Sequence, residues 1–225
     1  LLSRLLTENN DKNLNNDQIE YAKVIQSSGN GLLGLIDEIL DLSKIEAGKM
    51  NLEYKQVIVQ EMTEDLNALF KPLATDKKIE LKIIVHKDTP HVIETDPMRL
   101  DQILKNLLSN AIKFTSKGTV TLEVKNVPDD DKMIRFDVID TGIGIPKDKQ
   151  LLIFEAFQQA DGSTKRKYGG TGLGLSISKQ LSKLLNGKLK LESTPDKGST
   201  FSLFLPIMKM NLSSYSNIIE TFASE

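Results

Sequence analysis

The segment from Asp96 to Thr115 constrains the fold more than any other part of this 225-residue chain. Asp96 can cap a helix with its side chain, and Pro97 follows at a position where a missing N–H costs nothing. At about 100° per residue, Leu100, Ile103, Leu104, Leu107, Leu108 and Ala111 share one broad apolar face. Arg99, Gln102, Asn106, Asn110 and Lys113 fall on the other side. A solvated face is the ordinary reading of such a row. Two asparagines four residues apart argue against it, because the Asn amide competes for the backbone and solvent-facing helices normally use Glu, Lys or Gln. Asn106 and Asn110 aim two neutral carbonyl oxygens the same way, a donor type that magnesium accepts when phosphates and water complete its shell. Lys113, one turn further, can meet a phosphate charge.

Short strands and helices alternate on both sides of this segment. The period-2 pattern predicts strands at Gln56–Val59, Ile79–Val85, Val92–Thr95, Thr119–Asn126, Met133–Ile139, Lys188–Ser193 and Thr200–Leu205. Helical periodicity predicts Glu61–Lys77 and Leu175–Asn186 beside Pro97–Thr115, the last stopped by Gly187. Strands that are apolar on one face, with helices to cover that face, imply an α/β protein built as a two-layer α/β sandwich.

The beginning of the chain has a different texture. From Asp17 to Glu46, Ile25, Leu32, Ile36 and Ile39 recur at near-heptad spacing, and Val24, Leu33, Leu35 and Leu40 widen the stripe. Gly29 falls on the same seam, where a small residue lets another backbone come close. Leu1–Leu6 reads as the end of an antiparallel helix joined by the polar loop Thr7–Asn16, so this part is expected to be an incomplete helical hairpin that dimerises into a four-helix bundle. Packing of the helix on its own domain is the alternative. The expected organisation is a hairpin at 1–49, a catalytic domain at 50–208 and a linker or tail at 209–225.

Two glycine-rich loops flank the second half. Asp140-Thr141-Gly142-Ile143-Gly144-Ile145 follows a predicted strand, and glycines there let backbone approach a flat ring while Asp140 accepts from an exocyclic amine. Gly169-Gly170-Thr171-Gly172-Leu173-Gly174 runs into a helix, offering amides and the positive end of a helix dipole to phosphate. No Gly-Lys-Ser/Thr follows, so this is not a Walker loop, and the spacing does not fit the dinucleotide fingerprint.

Composition removes several classes. With no cysteine, disulfides and thiolate metal sites are excluded, and two histidines make zinc improbable. The near balance of 29 basic and 31 acidic residues gives no attraction for nucleic acid. No apolar stretch approaches the ~20 residues that cross a bilayer, so no direct membrane contact is expected.

The motifs together resemble the GHKL superfamily, and within it the sensor histidine kinases. Asp101–Thr115 is similar to that family's N box, Asp140–Ile145 to its first glycine box, Phe154-Glu-Ala-Phe157 to its F box and Gly170–Leu175 to its second glycine box. Gly198–Phe201 sits where a last, weaker glycine box belongs, and Leu40–Lys49 is similar to the end of the dimerisation hairpin. The resemblance implies a Bergerat fold with ATP and Mg2+ as cofactors. Asn106 and Asn110 would hold the metal, with Asn106 and Lys113 as the catalytic pair and Lys113 on a phosphate. Gly142 and Gly144 would floor the adenine pocket, Phe114 and Ile145 would belong to the ATP site, and Asp140 would read the amine with Thr200 and a water assisting. A lid including Arg166, Lys167 and Tyr168 would close on the triphosphate, with Gly170, Thr171, Gly172, Leu173, Gly174 and Leu175 along it. Phe154 and Phe157 would anchor that lid as packing groups. The implied partners are a response-regulator receiver domain and a second copy of the hairpin, and the implied location is cytoplasmic.

One feature departs from the family pattern. Its phosphoacceptor is a histidine followed by an acidic residue and then Arg-Thr-Pro, and neither His86 nor His91 has such neighbours. The GHKL ATPases that drive clamp or chaperone motion instead place a glutamate, as base for water, where this chain has Asn106. A non-catalytic scaffold is the third class, against which the intact glycine loops argue. These 225 residues incubated with γ-labelled ATP are therefore expected to acquire no acid-labile label, and robust labelling of a histidine would refute this.

Overall fold

The computed structural model describes residues 2–10, 12–128, 130–157 and 171–208. The chain divides into two compact units, residues 1–50 and 51–225. In the first, helix α1 (Leu2–Glu8) folds back along the long helix α2 (Asn16–Glu46). Asn15 starts α2 with a reciprocal cap: its side chain accepts from Gln18 N at 2.9 Å, and Gln18 Oε1 accepts from Asn15 N at 3.0 Å. Most of the α2 stripe is exposed. Ile25, Leu32, Leu33, Ile36, Ile39 and Leu40 are all exposed, and nothing approaches the Cβ position of Gly29.

The second unit is the α/β sandwich. Strands β2 (Glu80–Val85), β4 (Thr119–Val127), β5 (Asp130–Asp140), β6 (Lys188–Thr194) and β7 (Gly198–Pro206) form one sheet in the order β2-β4-β5-β7-β6. The β2–β4 pair is parallel and the other pairs are antiparallel. Three helices share one face of this sheet: α3 (Val59–Asp76) over β2, α4 (Pro97–Phe114) over β4 and β5, and α5 (Gly174–Leu184) over β6 and β7. The core lies between the layers, where Val120, Leu122, Val124, Ile134, Phe136, Val138, Leu203 and Leu205 alternate inward from their strands. On the other face Asp137, 1% exposed, is held between Lys125 Nζ at 3.0 Å and Arg135 Nε at 2.6 Å, so its charge is paired on both sides. No helix among the described residues is long and apolar enough to cross a membrane.

Two arrangements differ from the sequence expectation. Strands β1 (Lys55–Ile58) and β3 (Val92–Thr95) leave the main sheet and pair with each other, antiparallel, from Lys55 opposite Thr95 to Ile58 opposite Val92. Pairing across that sequence distance leaves no trace in a period-2 pattern. Helix α3 begins at Val59, which the pattern assigned to the preceding strand; its N–H still bonds His91 O at 3.0 Å, so the residue belongs to both elements. The tail at 209–225 lies outside the described residues.

Helix α4 is fixed at its start by Asp96, 4% exposed. One carboxylate oxygen accepts from Met98 N at 3.0 Å and Arg99 N at 3.1 Å, and the other accepts from Glu53 N at 2.9 Å. A single side chain thus caps the helix and ties down the incoming segment. Asp96→Ala removes all three bonds and is expected to cost about 2 kcal/mol, read as a lower urea midpoint at unchanged m-value. A loss below about 0.5 kcal/mol, the usual size of an ordinary surface change, would contradict this role.

Candidate functional site

Burial of one face of α4 decides where its polar residues go. Leu100, Ile103, Leu104, Leu107 and Leu108 are fully buried against the sheet and the neighbouring helices. At four-residue spacing, Asn106, Asn110 and Phe114 then run along one edge of the helix, and all three are half-buried. Eight residues at 1.5 Å rise span about 12 Å, roughly the reach from an adenine ring to its terminal phosphate.

The amide pair forms one end of this edge. Asn110 Nδ2 donates to Asn106 Oδ1 at 3.2 Å, and Asn106 Nδ2 donates to Ser178 Oγ on α5 at 2.8 Å. Gly174, the first residue of α5, lies so close that a Cβ there would collide with Asn106 Oδ1. Leu175 follows, half-buried, and Leu173, fully buried, anchors the start of α5; its N–H donates to Thr171 Oγ1 at 3.2 Å. Gly172 has φ +75° and its carbonyl accepts from Phe157 N at 3.2 Å. Among the described residues the α5 N-terminus has no side-chain cap bond, and its partial positive end suits an anion.

At the other end, Asp140 closes β5. Its Oδ1 accepts from Gly142 N at 2.8 Å, and Ser199 bonds it through both backbone and side chain. Burial pushes the Asp140 carboxyl above its ordinary value of 3.8, and those two neighbours pull it partly back. Gly142 packs on the carbonyl of Phe114, where a Cβ would fall only 2.5 Å from the oxygen, so the loop must be glycine to touch the end of α4. Gly144, at φ +63°, packs the same way on Thr194 O. Ile145 N donates to Ser193 Oγ at 2.8 Å, and Gln150 Nε2 braces the loop on Ile145 O and Ser193 O, both at 2.9 Å.

Lys113 stands over the Phe114 ring at 5.0 Å. Burial lowers its pKa, and so does the nearby Lys77 ammonium, which lies on Ile112 O at 3.0 Å and Lys113 O at 3.2 Å. Two cations at the negative end of α4 are favoured by its dipole and leave a positive field beside the edge.

The donor set suits a metal that arrives with its own anion. Two amide oxygens are hard, neutral ligands of the kind magnesium takes, but they bring no charge. Among the described residues no group of three His, Cys, Asp or Glu could cage a cation alone.

One sequence expectation needs correction. Thr200 pairs with Ile139, whereas Asp140 pairs with Ser199. Successive strand residues point to opposite faces, so Thr200 is one residue out of phase and Ser199 is the hydroxyl beside Asp140. The sequence signal was present in the alternation Ser199, Phe201, Leu203, Leu205, whose last three side chains are inside. Phe154 does pack, edge-on to Phe201 at 6.3 Å and under Lys179 at 4.8 Å. Phe157, at φ +64°, is 65% exposed, and the lid it is expected to anchor lies outside the described residues. Arg166, Lys167, Tyr168 and Gly170 lie outside the described residues. Ser178, Ser193 and Gln150 were not expected, because a hydroxyl or amide bonding across elements leaves no periodic mark.

Comparison with known proteins agrees with this geometry. Residues 95–209 match the family described as histidine kinase-, DNA gyrase B-, and HSP90-like ATPase. The sensor histidine kinase GacS of Pseudomonas protegens is 43% identical over 194 residues, covering 85% of this chain and 21% of that protein. The circadian input-output histidine kinase CikA of Synechococcus elongatus is 47% identical over 192 residues, 84% of this chain and 25% of that protein. Full-length ShkA, solved in complex with AMPPNP, superposes with a TM-score of 0.77 at 32% identity, covering 93% of this chain and 42% of that one. The chain belongs to the histidine kinase-, DNA gyrase B- and HSP90-like ATPase family, and it spans about a fifth to a quarter of those two curated relatives.

The buried Asp140 has a pH signature. A carboxyl whose folded pKa is raised contributes stability that is complete below its unfolded pKa and is lost as pH rises through the folded one. Asp140→Asn keeps the acceptor for Gly142 and removes the charge, so without nucleotide it is expected to be the more stable form at neutral pH. Its advantage should shrink as pH falls and vanish below 3.8. Equal denaturation midpoints across that window would contradict a buried charge.

Proposed function

We propose that this chain binds ATP with Mg2+ and is the catalytic domain of a sensor histidine kinase, moving the γ-phosphoryl to a histidine nitrogen beyond these 225 residues. The observation that carries the reading is the α4 edge, with two hydrogen-bonded Asn amides beside the glycine start of α5 at one end and a buried carboxylate at the other. Asp140 retains acceptor capacity beyond Gly142 and Ser199, and an adenine amine is a donor suited to it. Asn106 and Asn110 would hold the magnesium through their oxygens, and the bound ion would supply positive charge against the phosphates. Lys113 adds a cation near the phosphates, and the N–H groups of Gly174 and Leu175 at the start of α5 would face the same charge.

In phosphoryl transfer the protein chiefly positions groups and stabilises charge. A neutral imidazole is already nucleophilic, so the site needs no base for water. Asn106 cannot take a proton from water, which supports a kinase over a hydrolase. The sensor-kinase names of the similar proteins support the same choice, with a receiver-domain carboxylate as the next acceptor. The exposed apolar stripe of α2 suits a second copy of the hairpin, which would complete a four-helix bundle. A reaction fed by ATP places the domain on the cytoplasmic side.

Asn110→Ala tests the core of this proposal. Calorimetry with a non-hydrolysable ATP analogue in magnesium is expected to show a loss of affinity of more than tenfold, about 1.4 kcal/mol, with the fold intact by circular dichroism. Undiminished affinity would put the nucleotide elsewhere.

A further inference from the structure

We propose that Ser178 is a positioning residue that sets which end of the Asn106 side-chain amide faces the cation. The inference rests on the magnesium–nucleotide reading of the α4 edge and names a residue of α5 that the reading does not require.

An Asn side chain has two ends of nearly equal size, and only the oxygen end ligates a metal. A 180° turn about the last bond would present an NH2 group to the ion. Asn106 is therefore useful as a ligand only if something distinguishes its ends. Ser178 Oγ accepts the Asn106 Nδ2 at 2.8 Å, and Asn110 Nδ2 donates to Asn106 Oδ1 at 3.2 Å, so both bonds select the same orientation. Reversing the amide would set two NH2 groups against each other.

These two bonds fare differently when a cation is present. If Asn106 and Asn110 both turn oxygens to one ion, the Asn110 amide must leave Asn106 Oδ1, and that bond is lost. The bond to Ser178 lies on the nitrogen end and is compatible with coordination. Ser178 is thus the contact that still orients Asn106 when the ligand is bound. Its own position is well fixed: it is 2% exposed on the buried side of α5, and Gly174 precedes it by one helical turn on the same face. Gly174 gives Asn106 Oδ1 room by lacking a Cβ, and Ser178 holds the other end of the amide. One face of α5 thereby supplies both the space and the anchor.

The test compares affinity for AMPPNP with magnesium and with EDTA, in the wild type, Ser178→Ala, Asn106→Ala and the double variant. Alanine is a good helix former and the site is a helix interior, so Ser178→Ala is expected to melt as the wild type does. It should keep the metal-free affinity and lose about tenfold of the magnesium enhancement, the usual effect of removing a group that orients a metal ligand. In the Asn106→Ala background the same change should have no further effect, because the group it orients is gone. The inference is overturned if Ser178→Ala leaves the enhancement unchanged, if metal-free affinity falls equally, or if its effect persists without Asn106. A wild type that binds AMPPNP equally with and without magnesium overturns the metal site itself and this inference with it, a result separable from the others.

Discussion

Helix α4 can lie on the sheet in one rotation only. Five of its side chains are fully buried and Ala111 and Ile112 nearly so, each large one contributing about 1.5–3 kcal/mol by leaving water. Turning the helix by one residue would expose part of that face and bury Arg99 or Asn106 without partners. Asp96 sets its start and Lys77 lies on its last carbonyls. With rotation and both ends fixed, the direction of Asn106, Asn110 and Phe114 follows without any further specification. The polar edge is a consequence of the apolar one.

At two glycines the parts that meet the α4 edge do so through backbone. Gly142 touches the carbonyl of Phe114 and Gly174 touches the amide of Asn106, so the first glycine-rich loop and the start of α5 meet opposite ends of the same helix edge. Such contacts bring main-chain groups and a helix N-terminus to that edge in place of side chains, which suits a ligand made of flat ring and phosphate. Burying Asp140 costs stability in the free protein, and that cost is of the kind found where a carboxylate must recognise a donor.

Much of this was legible before any coordinates. The α4 segment carries its cap, its proline and its period in plain sight, and β4, β5 and β7 alternate cleanly enough to give the sandwich. The pairing of β1 with β3 was hidden because it depends on which strands meet, and alternation reports only which face is buried. The exchange of Thr200 for Ser199 is a phase error of one residue, the smallest slip a strand allows, and it changes the face completely. Phe157 is expected to pack because the F-box resemblance makes it a lid anchor, yet its positive φ places it at a turn and leaves it exposed. Ser178 could not be found because its role depends on the packing of α5 beside α4.

The most direct measurement of the central claim uses manganese in place of magnesium and follows the side-chain NH2 resonances of asparagine by NMR. Substoichiometric Mn2+ with AMPPNP is predicted to broaden the signals of Asn106 and Asn110 first, while that of Asn126, at the far end of β4, stays sharp. If Asn106 and Asn110 remain sharp while resonances elsewhere broaden, the metal and its nucleotide do not lie on α4.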